Sequence, residues 1–170
     1  MTGSWAGAFG HTQFMPSTFL ELAVDFDGDG RRDLVNSVPD ALASTANFLD
    51  KRGYRTGEPW GYEVKLPSGF WGASNRKDKK SISHWRNQGL TLANGSPLPS
   101  TLGSAGLLLP AGTDGPAFLV GKNFDTFYSY NASENYALAI AHLSDFIARE
   151  DSSKSDLVTA WPTDDPGISR

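Results

Sequence analysis

The chain has 170 residues, 39% of them hydrophobic, which is enough to bury the core of one domain with a small subdomain. A net charge of −4, with basic residues scattered apart from Arg76 to Lys80, excludes the basic face that nucleic-acid binding needs. The lack of cysteine excludes disulfides, thiolate metal sites and cysteine nucleophiles. No apolar stretch approaches the ~20 residues that span a bilayer. Met1 precedes no basic, apolar leader, and the residues after it read as an interior loop, so the natural protein is expected to start upstream. The aromatic load is high: twenty side chains, five Trp, five Tyr and ten Phe, suit either a core or a carbohydrate platform.

In chain order, Pro16 with Ser17 and Thr18 predicts a helix start, continuing through Phe19, Leu20 and Leu22. A second helix is capped by Ser37, with Pro39 and Asp40 in its first turn, Lys51 and Arg52 in its last and Gly53 as its stop. Its apolar face is read as Ala41, Leu42, Thr45, Phe48 and Leu49. From about Trp60 the texture changes to short pieces broken by Gly and Pro. Tyr62, Val64 and Leu66 alternate with charged residues and predict a strand. The run RKDKK (76–80) reads as a solvated loop, and Ser81 to Gln88 as a short capped helix presenting Ile82 and Trp85. Leu107 to Leu109 and Ala117 to Val120 flank AGTDGP and predict a hairpin. A last helix runs from about Ser133 to Arg149, its stripe formed by Tyr136, Ala139, Ile140, Leu143, Phe146 and Ile147. Residues 151–170 are polar and proline-bearing, and read as a loose tail.

Two segments carry chemistry. In DFDGDGRRD, Asp25, Asp27 and Asp29 occupy positions 1, 3 and 5 of an EF-hand-like loop, with Gly30 at position 6 for the sharp turn. Alternate spacing lets three carboxylates converge on one cation, with the Arg31 carbonyl as a further ligand and Asp33 acting directly or through water. Position 12 is Asn36 rather than glutamate, so the standard loop is incomplete. Clustered aspartates repel unless a cation lies among them; Ca²⁺ suits this set better than Mg²⁺, which keeps more water. The alternative is a solvated acidic turn, with Asp40 complementing a helix dipole.

Upstream, GSWAGAFGHTQFMPSTF (3–19) supplies small residues that let backbone approach a ligand. Ser4 and Gln13 can hydrogen-bond sugar hydroxyl or acetamido groups, and Trp5, Phe9 and Phe14 can stack on pyranose faces. On these residues alone, a tight-turned core segment fits as well.

Together with the DFDGDG loop, ALASTANFL (41–49) and SYNASENYALAI (129–140), this run resembles the type B family of membrane-bound lytic murein transglycosylases, in the same order and over the chain to Arg149. The resemblance implies an α+β fold: a partial, mostly helical lysozyme-like core with an EF-hand-like calcium loop and a small β-rich subdomain. The expected division is a core segment over 1–59, the subdomain over 60–125 and a C-terminal helix over 126–150 returning to the core. By the same similarity Asp40 closes the metal loop. Ser4 and Gln13 line the cleft, Tyr130 and Asn131 contact the glycan, and Tyr136 lies close by. Tyr136 also fits the apolar stripe of the last helix, and Asn131 also fits as that helix's cap. Phe48 stands where the family often has tyrosine.

The family cleaves the bond between N-acetylmuramic acid and N-acetylglucosamine with one glutamate. It first protonates the leaving oxygen, then serves as base while the muramyl 6-hydroxyl closes a 1,6-anhydro ring. The substrate supplies the second nucleophile, so a second carboxylate is unnecessary. That glutamate is expected before Gly3 in a Glu-Ser context. The glutamates in the chain are Glu21, Glu58, Glu63, Glu134 and Glu150, and Glu21 is the one candidate substitute. Hence the expected catalytic set within this chain is empty. The expected partner is the peptidoglycan glycan strand in the bacterial periplasm, bound by a monomer. A non-catalytic, calcium-stabilised peptidoglycan-binding module is the alternative, and a calcium-stabilised structural domain a third.

Overall fold

The computed structural model describes residues 3–148; the expected tail and the Arg149 end of the last helix lie outside them. Two compact units divide at Tyr54–Arg55.

In the first unit, α1 (Pro16–Leu22) starts with proline in its first turn, where a missing N–H costs nothing. α2 (Val38–Lys51) is capped by Ser37, whose Oγ accepts from the Asp40 amide at 3.3 Å. Gly53, at φ +85°, follows its end. The buried face of α2 is Asp40, Ala41, Ser44 and Phe48, while Leu42 is 61% exposed. The apolar face expected from the sequence is therefore turned. Ser44 Oγ accepts from the Val24 amide at 2.9 Å, and Asn47 Nδ2 donates to the Leu22 carbonyl at 2.9 Å. These polar side chains satisfy the backbone leaving α1, and that requirement outweighs burial of Leu42.

The second unit is built on an antiparallel five-stranded sheet in the order β2-β4-β5-β1-β3. Its strands are β1 (Gly61–Lys65), β2 (Asn75–Ser81), β3 (Thr91–Leu92), β4 (Ser104–Leu108) and β5 (Ala117–Val120). The expected strand and hairpin are both present, with Leu107 opposite Leu119. α3 (Ile82–Asn87) follows β2 directly. Ser81 Oγ accepts from the His84 amide at 3.1 Å, and Ile82 and Trp85 enter the core beside Val64, Leu98, Leu107 and Leu119.

RKDKK is a correction: it is not a solvated loop but most of the edge strand β2. Arg76 and Lys79 turn inward, whereas Lys77, Asp78 and Lys80 are exposed. The Arg76 guanidinium pairs with Asp125 at 3.0 Å and Glu134 at 3.4 Å, and lies 3.6 Å over the Tyr128 ring. Lys79 Nζ pairs with Asp125 at 3.1 Å and donates to the Arg76 and Val120 carbonyls. Burial pushes the Lys79 ammonium pKa down, and Asp125 opposes that shift. β2 crosses β4 so closely that a side chain at Gly106 would run into the Arg76 carbonyl. The outward charges also blunt a sheet edge.

α4 (Lys122–Tyr130) has no counterpart among the expected elements. Its aromatic and β-branched residues are weak helix formers, and packing of Phe124 and Phe127 holds it. α5 (Glu134–Ala148) is capped by Ser133, whose Oγ accepts from the Tyr136 amide at 3.3 Å, so Asn131 is not the cap. Its buried residues are Ala137, Leu138 and Ala141. The expected stripe is another correction: Leu143, Phe146 and Ile147 are 51%, 43% and 72% exposed. Small residues let α5 approach α4, and Asp145 accepts from Trp60 Nε1 at 2.8 Å, which fixes the rotation of the helix.

Asn123 on α4 is wholly buried and ties the entry to the unit in place. Its Oδ1 accepts from the Arg55 amide at 2.7 Å, and its Nδ2 donates to the Arg55 and Glu58 carbonyls at 2.9 and 2.6 Å. Asn123→Ala is expected to cost roughly 3 kcal/mol, because buried backbone groups lose their partners. A lower urea midpoint at unchanged slope is the expected readout; an unchanged midpoint refutes the role.

Candidate functional site

The run 3–19 is a pair of interlocked tight turns. Ser4 Oγ accepts from the Ala8 amide at 3.0 Å, and the Ser4 amide donates to the Ala8 carbonyl at 2.9 Å. Phe9 and Phe14 bridge through N–H···O bonds of 3.0 and 2.9 Å. Gly10, at φ +76°, is required there, since a Cβ would lie 2.5 Å from the Leu34 carbonyl oxygen. Phe14 is buried and meets Phe48 edge-on at 6.3 Å, so it packs rather than stacks on a ligand.

These turns and α1 enclose a groove of about 620 Å³, lined by Gly3, Ser4, Gly7, Phe9, Pro16, Phe19 and Leu20. Its size falls within the range of small-molecule sites. Ser4 is thus brought to the wall, and its hydroxyl proton can still be donated outward. Gln13 is not in that lining. It is exposed at φ +54°, with Nε2 donating to the Gly10 carbonyl at 2.9 Å. Trp5 is fully exposed. Sequence reasoning missed Phe19 and Leu20 as groove residues; the signal available was the proline that starts a helix directly after the turns. Among the described residues, no carboxylic acid lines the groove.

Asp25, Asp27 and Asp29 converge, each offering an oxygen within 4.8 Å of the others. Backbone N–H groups hold the loop open around them. Asp25 Oδ1 and Oδ2 accept from Gly28 at 2.7 Å and Gly30 at 2.9 Å, and Asp29 Oδ1 accepts from Arg31 at 2.8 Å. Gly28 and Gly30 both take positive φ, which permits these turns. Three converging carboxylates, Asp25 half-buried and Asp27 and Asp29 exposed, fit a hard divalent cation with oxygen ligands.

Asp40 stands apart from that group of three. It is buried, and its Oδ1 and Oδ2 accept from the Phe26 amide at 2.9 Å and the Asp33 amide at 2.8 Å. The Phe26 bond, then the Asp33 bond, hold the Asp40 carboxyl below the usual carboxylate range. Asp33 is lowered likewise by the Asn36 side chain, then by the Asn36 and Val35 amides. A depressed folded pKa contributes stability above the unfolded value of about 4, which is lost as pH falls through the folded value. In chelator, the melting temperature is therefore expected to drop below about pH 4, and more steeply than in Asp40→Asn. Parallel pH profiles for the two proteins would remove Asp40 from this role.

The remaining expected contacts lie in the second unit. Tyr130 closes α4 and is half-buried, Asn131 is exposed after it, and Tyr136 on α5 is 37% exposed.

Residues 1–145 match the transglycosylase SLT domain family, and the chain belongs to it. It is 37% identical over 153 residues to membrane-bound lytic murein transglycosylase B of Escherichia coli K12, covering 87% of this chain and 40% of that protein. The crystal structure of SltB3 from Pseudomonas aeruginosa in complex with NAG-anhNAM-pentapeptide matches with a TM-score of 0.88 and 49% identity, over 97% of this chain and 44% of that one. The Escherichia coli lytic transglycosylase Slt35 in complex with calcium matches with a TM-score of 0.70 and 36% identity, over 87% and 46%. The chain thus spans less than half the length of these relatives, as an α+β member of the type B lytic transglycosylases. Among the described residues no helix is long and apolar enough to cross a membrane.

Proposed function

We propose that these residues form one wall of the cleft, the calcium loop and the C-terminal part of a peptidoglycan lytic transglycosylase with a lysozyme-like core. It cleaves the MurNAc–GlcNAc bond in the bacterial periplasm and acts as a monomer. The groove beside Ser4 carries this reading: a concave wall of glycines, aromatic rings and one hydroxyl suits a sugar ring. Ser4 and Gln13 are the glycan-contacting residues of the first unit, and Tyr130, Asn131 and Tyr136 those of the second, each acting by hydrogen bonds. The general acid is a glutamate supplied from outside these residues. It protonates the glycosidic oxygen, then takes the proton of the muramyl 6-hydroxyl as that oxygen bonds to C1, giving the 1,6-anhydro product without water.

Asp25, Asp27 and Asp29, with the Arg31 carbonyl, would hold Ca²⁺, and Asp40, which stands apart and accepts from the Phe26 and Asp33 amides, would join them only through a remaining oxygen lone pair. The ion supplies structural cross-linking and no chemistry of its own. The converging carboxylates support this, as does the calcium complex of Slt35. A non-catalytic peptidoglycan-binding module is the second reading, favoured by the lack of an acid in the groove lining among the described residues.

Binding of soluble NAG-anhNAM-pentapeptide, followed by calorimetry, tests the cleft. Ser4→Ala and Asn131→Ala are each expected to weaken it by about 0.5–1.5 kcal/mol, the worth of one hydrogen bond. A measurable affinity untouched by either substitution refutes the assignment.

A further inference from the structure

We propose that the second unit carries its own carbohydrate subsite, where the segment 70–75 faces α3, and that it takes an uncharged N-acetylhexosamine unit of a glycan strand. It rests on the reading that the chain works on peptidoglycan, but uses none of the residues assigned to the groove of the first unit. A hollow of about 270 Å³ lies there, lined by Phe70, Trp71, His84 and Trp85 with the amides of Asn75 and Gln88. That volume sits just below the range for drug-sized ligands and suits a single sugar ring.

The floor is rigid. Trp85 is buried, donates from Nε1 to the Ala105 carbonyl at 2.8 Å, and meets His84 edge-on at 5.2 Å. Phe70 packs against the sheet core and folds over Gly72, where a Cβ would lie 2.5 Å from its ring. The missing side chain at Gly72 leaves room for the Phe70 ring, and Trp71 between them faces outward. Trp71 is 98% exposed, a large apolar surface with no role in the core.

The occupant's chemistry follows from what surrounds this indole. Asp78 and Lys80 also line the hollow, and they pair with each other at 2.8 Å. Their charges cancel, so nothing selects a phosphate, a nucleic acid or an acidic peptide. What remains is an aromatic face for the C–H face of a pyranose, and two side-chain amides. Asn75 Oδ1 already accepts from the Lys77 amide at 3.0 Å, which leaves its Nδ2 donors, while Gln88 offers both a donor and an acceptor for hydroxyl and acetamido groups. A hollow of this size binds one ring weakly.

The test is a titration of the ¹⁵N-labelled 170-residue chain with the β-1,4-linked tetramer of N-acetylglucosamine, following indole and backbone N–H resonances. The Trp71 and Trp85 indoles are expected to shift in fast exchange, with a Kd on the order of 1 mM. Trp71→Ala is expected to weaken this response about tenfold, equivalent to 1.4 kcal/mol. Trp71→Tyr should retain part of it. Trp71 is exposed, so its removal leaves the fold intact. Shifts at Trp71 and Trp85 without any in residues 3–20 uphold the subsite and refute the groove. Shifts confined to residues 3–20 refute the subsite and leave the groove reading standing. No shift at about 10 mM tetramer, ten times that Kd, overturns both.

Discussion

Purified sacculi incubated with the 170-residue polypeptide are expected to release no 1,6-anhydro muropeptides. Among the described residues the groove wall contains glycine, serine, proline, leucine and phenylalanine, and no carboxylic acid that can protonate a leaving oxygen. Two of the other glutamates are already engaged, Glu58 with Arg55 at 3.1 Å and Glu134 with Arg76 at 3.4 Å. Glu63 lies on β1 in the second unit, and Glu21 is exposed on α1 next to Leu20. General acid catalysis contributes about 10²–10⁴-fold, and losing whatever positions the acid adds to that deficit. A longer polypeptide carrying a Glu-Ser segment ahead of Gly3 is expected to restore release. Mass spectrometry of the digest separates the outcomes. Anhydro products from the 170 residues that vanish in Glu21→Gln would move the acid to Glu21 and refute an external one. Products that persist in Glu21→Gln would refute both assignments.

Calcium is expected to raise the melting temperature of the same polypeptide by roughly 5–10 °C at a concentration about 100 times its Kd. Mass action at that ratio is worth about 2.7 kcal/mol, and about 1 kcal/mol moves the melting point of a chain this size by about 2–4 °C. Asp29→Ala should abolish most of the shift, because it removes one of the three converging carboxylates. Asp29 Oδ1 also accepts from the Arg31 amide at 2.8 Å, so the variant is expected to melt somewhat lower even in chelator. The quantity that decides is the calcium-induced difference within each protein. Identical melts of the parent chain in chelator and in millimolar calcium would remove the metal site.

Signals that act within a few residues were legible in the sequence. Pro16 starts α1, Ser37 caps α2, Ser81 caps α3, and the apolar runs around AGTDGP pair as β4 and β5. The alternate aspartates of the acidic loop likewise converge as their spacing implies, since the turn that gathers them is closed by their own neighbours' amides. The order of the motifs was sufficient for the family.

Which way the helices face was decided elsewhere. α2 turns Leu42 out because Ser44 and Asn47 bind backbone 20 and 25 residues away, and α5 turns out its largest apolar residues because Asp145 receives Trp60 from 85 residues upstream. RKDKK becomes a strand only because Asp125, Glu134 and Tyr128 take up its cations. The same holds for α4, a weak helix former held by its packing, and for Asp40, whose carboxylate holds the amides of Phe26 and Asp33. Caps, prolines and turn glycines act through the next few peptide groups, so sequence alone determines them. Helix faces, charge partners and groove walls depend on which distant groups arrive to be satisfied, and only the tertiary structure supplies those.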